Sequence, residues 1–166
     1  MKHTSRTHGT TTLEKNVTNF VRKFGINRAS YKNTFCMHLS KNTVDFTVQK
    51  YYEDELLLEH IRNKFGVNIE PFYFVFCLLH EVGHSMTASK FSEEEWNEYS
   101  FLSKYLLPLI PDTVERHSIY FNLPIEDAAT TWAINYIVNN IDECWDFQCK
   151  CGKILEKKKK KKSFRV

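Results

Sequence analysis

The sequence predicts an α+β domain in which a small antiparallel sheet packs with several helices. Three observations predict it. Leu13, Val17, Phe20, Val21 and Phe24 recur at helical spacing. Two runs of alternating polarity follow between 34 and 49, separated by the turn residues Ser40-Lys41-Asn42, and read as a β-hairpin. From Tyr51 to Ile141 the chain then carries mostly helix signals. The order of helix, hairpin and helices is that of an α+β domain.

The elements follow in chain order. Met1 to Thr12 is polar and reads as a loose arm. Gly25 stops the first helix, which covers Leu13 to Phe24. In the hairpin, Phe35, Met37 and Leu39 share one face and Cys36 and His38 the other. Val44, Phe46 and Val48 likewise alternate with Asp45, Thr47 and Gln49. Tyr51 to Phe65 is amphipathic and ends at Gly66, and Val67 to Ile69 reads as a short strand. Pro71, a favoured early residue, opens a helix that runs to about Ser89. That helix is apolar on most sides, so it belongs inside the domain. Ser92 followed by Glu93, Glu94 and Glu95 is an N-cap signature for a helix ending near Pro108. A shorter helix is expected over Asp112 to Tyr120, and Pro124 opens a long one through about Ile141. The expected organisation is an arm at 1–12, one domain at 13–141 and a polar, Cys- and Lys-rich tail at 142–166.

Composition narrows the function classes. Hydrophobic residues at 42% and aromatics at 14% suit a globular chain, and 166 residues suit one domain. The net charge of +3 is concentrated in Lys157 to Lys162. Without those six lysines, 17 basic residues face 20 acidic ones, a net −3. A mildly acidic body gives no support to a nucleic-acid-binding face, and the lysine run reads as a solvated tail. Met1 to Thr12 lacks the apolar stretch of a secretory signal. Pro71 to Leu79 is too short to span a membrane. Five cysteines at irregular spacing argue against a disulfide framework, so a cytoplasmic location is expected. Cys144, Cys149 and Cys151 offer three thiols where structural zinc prefers four ligands, and read as reduced cysteines.

The chemistry centres on His80-Glu81-Val82-Gly83-His84. Histidines at i and i+4 lie on one helix face and can reach one Zn²⁺. Glu81, one position on, can reach a water on that ion and take its proton. Two histidines and a glutamate are costly in an apolar helix unless they are used. A third ligand must come from elsewhere. A histidine six residues after His84 would supply it, but Lys90 stands there. Glu126, 42 positions past His84, is the favoured candidate, with Asp127 as its competitor. Ala129 and Ala133 share the face of Glu126, and small residues there would let the two helices approach closely. Thr130 could hydrogen-bond a ligand.

The segment His80 to His84, followed by Glu126-x-x-Ala129-x-x-Trp132-Ala133, resembles the ImmA/IrrE-type metallopeptidases of bacteria and mobile elements. The resemblance spans roughly Tyr51 to Ile141. It implies a compact zincin-like, gluzincin-type fold and an intracellular protein substrate, often a transcriptional regulator. Family members commonly carry an amide residue where Thr130 stands.

The expected function is therefore a zinc-dependent endopeptidase. His80, His84 and Glu126 hold the metal, and Glu81 activates the water. A protein or peptide substrate is expected to lie as an extended strand against a sheet edge at Thr43 to Val48. His117 and Tyr120 are candidates for stabilising the oxyanion. The alternative is a zinc-binding regulatory or interaction module with the same fold and no peptidase activity.

Overall fold

The computed structural model describes residues 8–48, 55–111 and 113–163, with side chains at 12–48, 55–111 and 113–153. Among these are seven α-helices and a three-stranded mixed sheet. The chain is thus α+β. Residues 1–7, Gln49 and the start of the second expected helix at Tyr51 to Asp54 lie outside the described residues, as do Asp112 and 164–166.

Helix α1 (His8–Val21) begins inside the segment expected to be an arm. Its buried stripe of Leu13, Val17, Phe20 and Val21 faces the core. A 3₁₀ turn over Arg22–Phe24 closes at Gly25, whose φ of 80° is the left-handed conformation that glycine adopts at no cost. Strands β2 (Cys36–His38) and β3 (Thr43–Phe46) form the expected antiparallel hairpin, with Met37 opposite Val44.

The sheet differs from expectation in one strand. β1 (Arg28–Tyr31) pairs parallel with β3, so the sheet is mixed, in the order β1-β3-β2. β3 is therefore the central strand, and Thr43 to Val48 is not the free edge. The outer edge of β1 is closed by α1. Thr18 Oγ1 accepts from the Ala29 N–H at 3.0 Å, and Glu14 Oε1 from the Tyr31 N–H at 2.9 Å. Side chains here replace the ladder bonds of a missing strand. Val67–Ile69, expected as a strand, has no sheet partner and leads into a 3₁₀ turn over Glu70–Phe72.

Helix α2 (Glu55–Phe65) buries Leu58 and Ile61 and stops at Gly66 with φ 69°. Helix α3 (Tyr73–Thr87) is the axis of the domain, and ten of its 15 residues are buried. It packs between the sheet and α6 (Pro124–Asn139). Helix α4 (Glu93–Phe101) opens with the expected capping box. The Ser92 hydroxyl accepts from the Glu95 N–H, and the Glu95 carboxylate accepts from the Ser92 N–H. It continues as a π-turn over Leu102–Leu106 and a 3₁₀ turn over Leu107–Leu109. Helix α5 (Val114–Phe121) is capped by Thr113. Among the described residues no helix is long and apolar enough to cross a membrane.

The last helix, α7 (Ile141–Ser163), covers the segment expected to be a polar tail. Its first half is part of the core: Cys144, Phe147 and Cys151 are buried. The Phe147 ring stacks on Phe20 at 3.9 Å. Burial pushes the Cys144 thiol up to about 11 and the Cys151 thiol up to about 12. At neutral pH, without a metal, these cysteines are protonated thiols packed in the core. Ending the chain after Lys153 should leave the unfolding transition within a few degrees of wild type. Ending it after Ile141 should cost at least about 3 kcal/mol, the usual loss for one deleted core aromatic. Thermal and urea unfolding of the two truncations would check this, and equal transitions would overturn it.

Candidate metal centre

Helices α3 and α6 must approach closely for one metal to reach both, and Gly83 allows it. A Cβ on Gly83 would lie 2.6 Å from the Ala129 carbonyl oxygen and 3.0 Å from its Cα. Only a residue without a side chain fits against that backbone. Thr87 returns its hydroxyl to the Gly83 carbonyl at 2.8 Å, within the same turn.

Across this contact the side chains of His80, His84 and Glu126 converge. One donor atom from each lies within 4.8 Å of the others. Glu126 is 2% exposed and sits in the first turn of α6. Its Oε2 lies 3.0 Å from His80 Nε2 and 3.7 Å from His84 Nε2. Bonds of about 2.1 Å to a tetrahedral Zn²⁺ imply donors about 3.4 Å apart. The two carboxylate–imidazole distances bracket that value. His84 Nδ1 is buried, and no hydrogen-bond partner for it occurs among the described residues. Two imidazoles and one carboxylate are a donor set suited to Zn²⁺.

The neighbours orient these groups. The Thr130 hydroxyl lies 3.1 Å from His80 Nδ1, which leaves Nε2 turned toward Glu126. The hydroxyls of Tyr120, at 2.7 Å, and of Tyr99 both donate to Glu126 Oε1. The two oxygens of Glu126 thus have separate partners, histidines on Oε2 and phenols on Oε1. Trp96 on α4 brings its ring 6.4 Å from that of His84, and its indole N–H reaches the Ala88 carbonyl.

Charge follows from this packing. Burial pushes the Glu126 carboxyl up, but the His80 hydrogen bond and the histidine charges outweigh it and hold it at about 2. Burial and the charge of His80 push His84 down to about 4, against the pull of Glu126. Burial alone would lower His80, yet the Glu126 carboxylate raises it. Tyr99 and Tyr120 are held far above the usual phenol range, first by burial and then by Glu126, so both stay donors. At neutral pH Glu126 is an anion and His84 a neutral base, the forms that bind a metal.

Glu81 points elsewhere. Its Oε2 accepts the Met37 N–H at 2.8 Å, so it stands between α3 and the outer edge of β2. Burial raises its carboxyl, and the charge of His80 opposes that.

Two expected candidates are not brought to the centre by any described contact. Asp127 turns to α2, where its Oδ1 pairs with Lys64 Nζ at 2.7 Å. His117 sits beside the Phe121 ring and lines a cavity of about 440 Å³ with Leu107, Pro108 and Tyr120. Tyr120 binds a candidate ligand rather than standing open to an oxyanion. Tyr99 was not expected at all. It is 27 residues before Glu126, on another helix, and no sequence period links the two. The chain has no significant match among family models, curated proteins or solved structures.

Proposed function

We propose that this chain is a zinc-dependent endopeptidase acting on an intracellular protein. The observation that carries this reading is the meeting of His80, His84 and Glu126 within 4.8 Å, with Glu81 one residue from the first of them. The resemblance of these motifs to ImmA/IrrE-type metallopeptidases supports a protein substrate such as a transcriptional regulator. A bound Zn²⁺ would supply Lewis-acid polarisation of a water and of the substrate carbonyl. Glu81 takes the proton from the attacking water and passes it to the departing amine. The remaining sheet edge is that of β2, where a substrate strand would displace Glu81 from the Met37 N–H, because α1 side chains close the β1 edge and β3 is central.

The Met37 hydrogen bond also gives Glu81 a structural task. That favours a second reading, a zinc-binding regulatory module in which Glu81 only braces β2. One substitution separates the two. In Glu81→Gln the amide oxygen can still accept the Met37 N–H, but the side chain cannot take a proton. The expected result is unchanged zinc content and a cleavage rate lower by about 10²–10⁴-fold. New protein termini, mapped in cells expressing wild type or Glu81→Gln, would identify the substrate. Equal cleavage by both proteins would sink the peptidase mechanism, and no wild-type termini would favour the regulatory module.

A further inference from the structure

We propose that Tyr99 and Tyr120 act as a pair that restricts Glu126 to one-oxygen metal ligation and so keeps a coordination position open. The inference rests on the metal centre proposed above and assigns two positioning residues to it. A carboxylate oxygen has two lone-pair sites. On Glu126 Oε1 both are taken, one by each tyrosine hydroxyl. Oε2 faces the two histidines instead. The phenols come from α4 and α5, on different parts of the chain.

This arrangement has a coordination consequence. A buried carboxylate with a free second oxygen can turn that oxygen onto the metal and become bidentate. The extra bond would raise the coordination number from four to five and fill the position that a substrate carbonyl needs. The tyrosines prevent it by holding Oε1 in two hydrogen bonds while Oε2 faces the histidines. They touch neither substrate nor reacting atoms in this arrangement, and act through Glu126.

Co²⁺ in place of zinc gives a readout independent of cleavage, because four-coordinate Co²⁺ absorbs visible light far more strongly than five- or six-coordinate Co²⁺. The full chain, stripped of metal and titrated with Co²⁺, should show the intense four-coordinate band. The Tyr99→Phe/Tyr120→Phe double variant should bind Co²⁺ with the band reduced several-fold. Each single variant should show a smaller reduction, since one hydroxyl still holds Oε1. An undiminished band in the double variant would overturn the proposal. Should the double variant not fold, the single ones decide: a reduced band in each supports it, and wild-type intensity in both overturns it. Failure of folded wild type to bind Co²⁺ would instead remove the metal centre itself, and this inference with it.

Discussion

Gly83→Ala should lower stability by about 2 kcal/mol and reduce metal binding with it. In an ordinary helix the same change stabilises by about 1 kcal/mol, because alanine is the better helix former. Here the added methyl meets the Ala129 backbone at 2.6 Å, which cannot rotate away as a side chain could. Overpacking of this kind costs about 1–3 kcal/mol and sometimes more, so it outweighs the propensity gain. The helices must separate, and the donor atoms of His80, His84 and Glu126 separate with them. Gly152→Ala is the control. Nothing lies within 4 Å of its Cβ position in α7, so that variant should gain up to about 1 kcal/mol. Urea unfolding of both variants, with zinc content measured alongside, checks the opposite signs. A stabilised Gly83→Ala protein would show that α3 and α6 are not in close contact.

The second large effect belongs to Glu126. Glu126→Ala should abolish zinc binding and cost about 3–5 kcal/mol of stability. The carboxylate accepts from His80, Tyr99 and Tyr120 in a site that is 2% exposed. Its removal leaves these part-buried donors without their acceptor, which costs more than the hydrogen bonds contribute net. Asp127→Ala, one residue on, removes only an ion pair to Lys64 whose side chains are about one-third exposed. Solvent screening limits that loss to less than about 1 kcal/mol, with zinc retained. Elemental analysis and thermal unfolding of the two variants give the comparison. Zinc kept by Glu126→Ala and lost by Asp127→Ala would mean that the ligand is the neighbouring residue.

The parts of the fold that were legible in the sequence are those with a local signal. The stripe of α1, the Ser92 capping box and Gly25 each act within one or two turns of chain. β1 had no such signal. Of Arg28, Ala29, Ser30 and Tyr31 only Ala29 is buried, and the strand exists because β3 pairs with it and α1 closes its edge. Helix α7 shows a different failure. Cys144, Phe147 and Cys151 are spaced i, i+3 and i+7, which is a core stripe. Read as metal chemistry, the cysteines concealed it. In the candidate centre, the placing of His80 and His84 on one helix face was legible from their spacing, whereas the turn of Glu81 toward Met37 was not. Glu126 followed from small residues on its own face. Tyr99 could not be foreseen, because only the path of the chain between α3 and α6 brings it to Glu126.

The elements around the candidate metal centre are unequally anchored. α3 and α6, which carry all three donor residues, are rich in fully buried positions. α4 and α5, which carry the two tyrosines, have none. Local opening free energies rise with buried apolar contact, so α4 and α5 belong to a less protected cooperative unit than the helices they brace. Hydrogen exchange is expected to show α4 and α5 opening more readily than α3 and α6. The phenols that hold Glu126 Oε1 thus stand on the less anchored elements, and the three candidate donors stand on the more anchored ones.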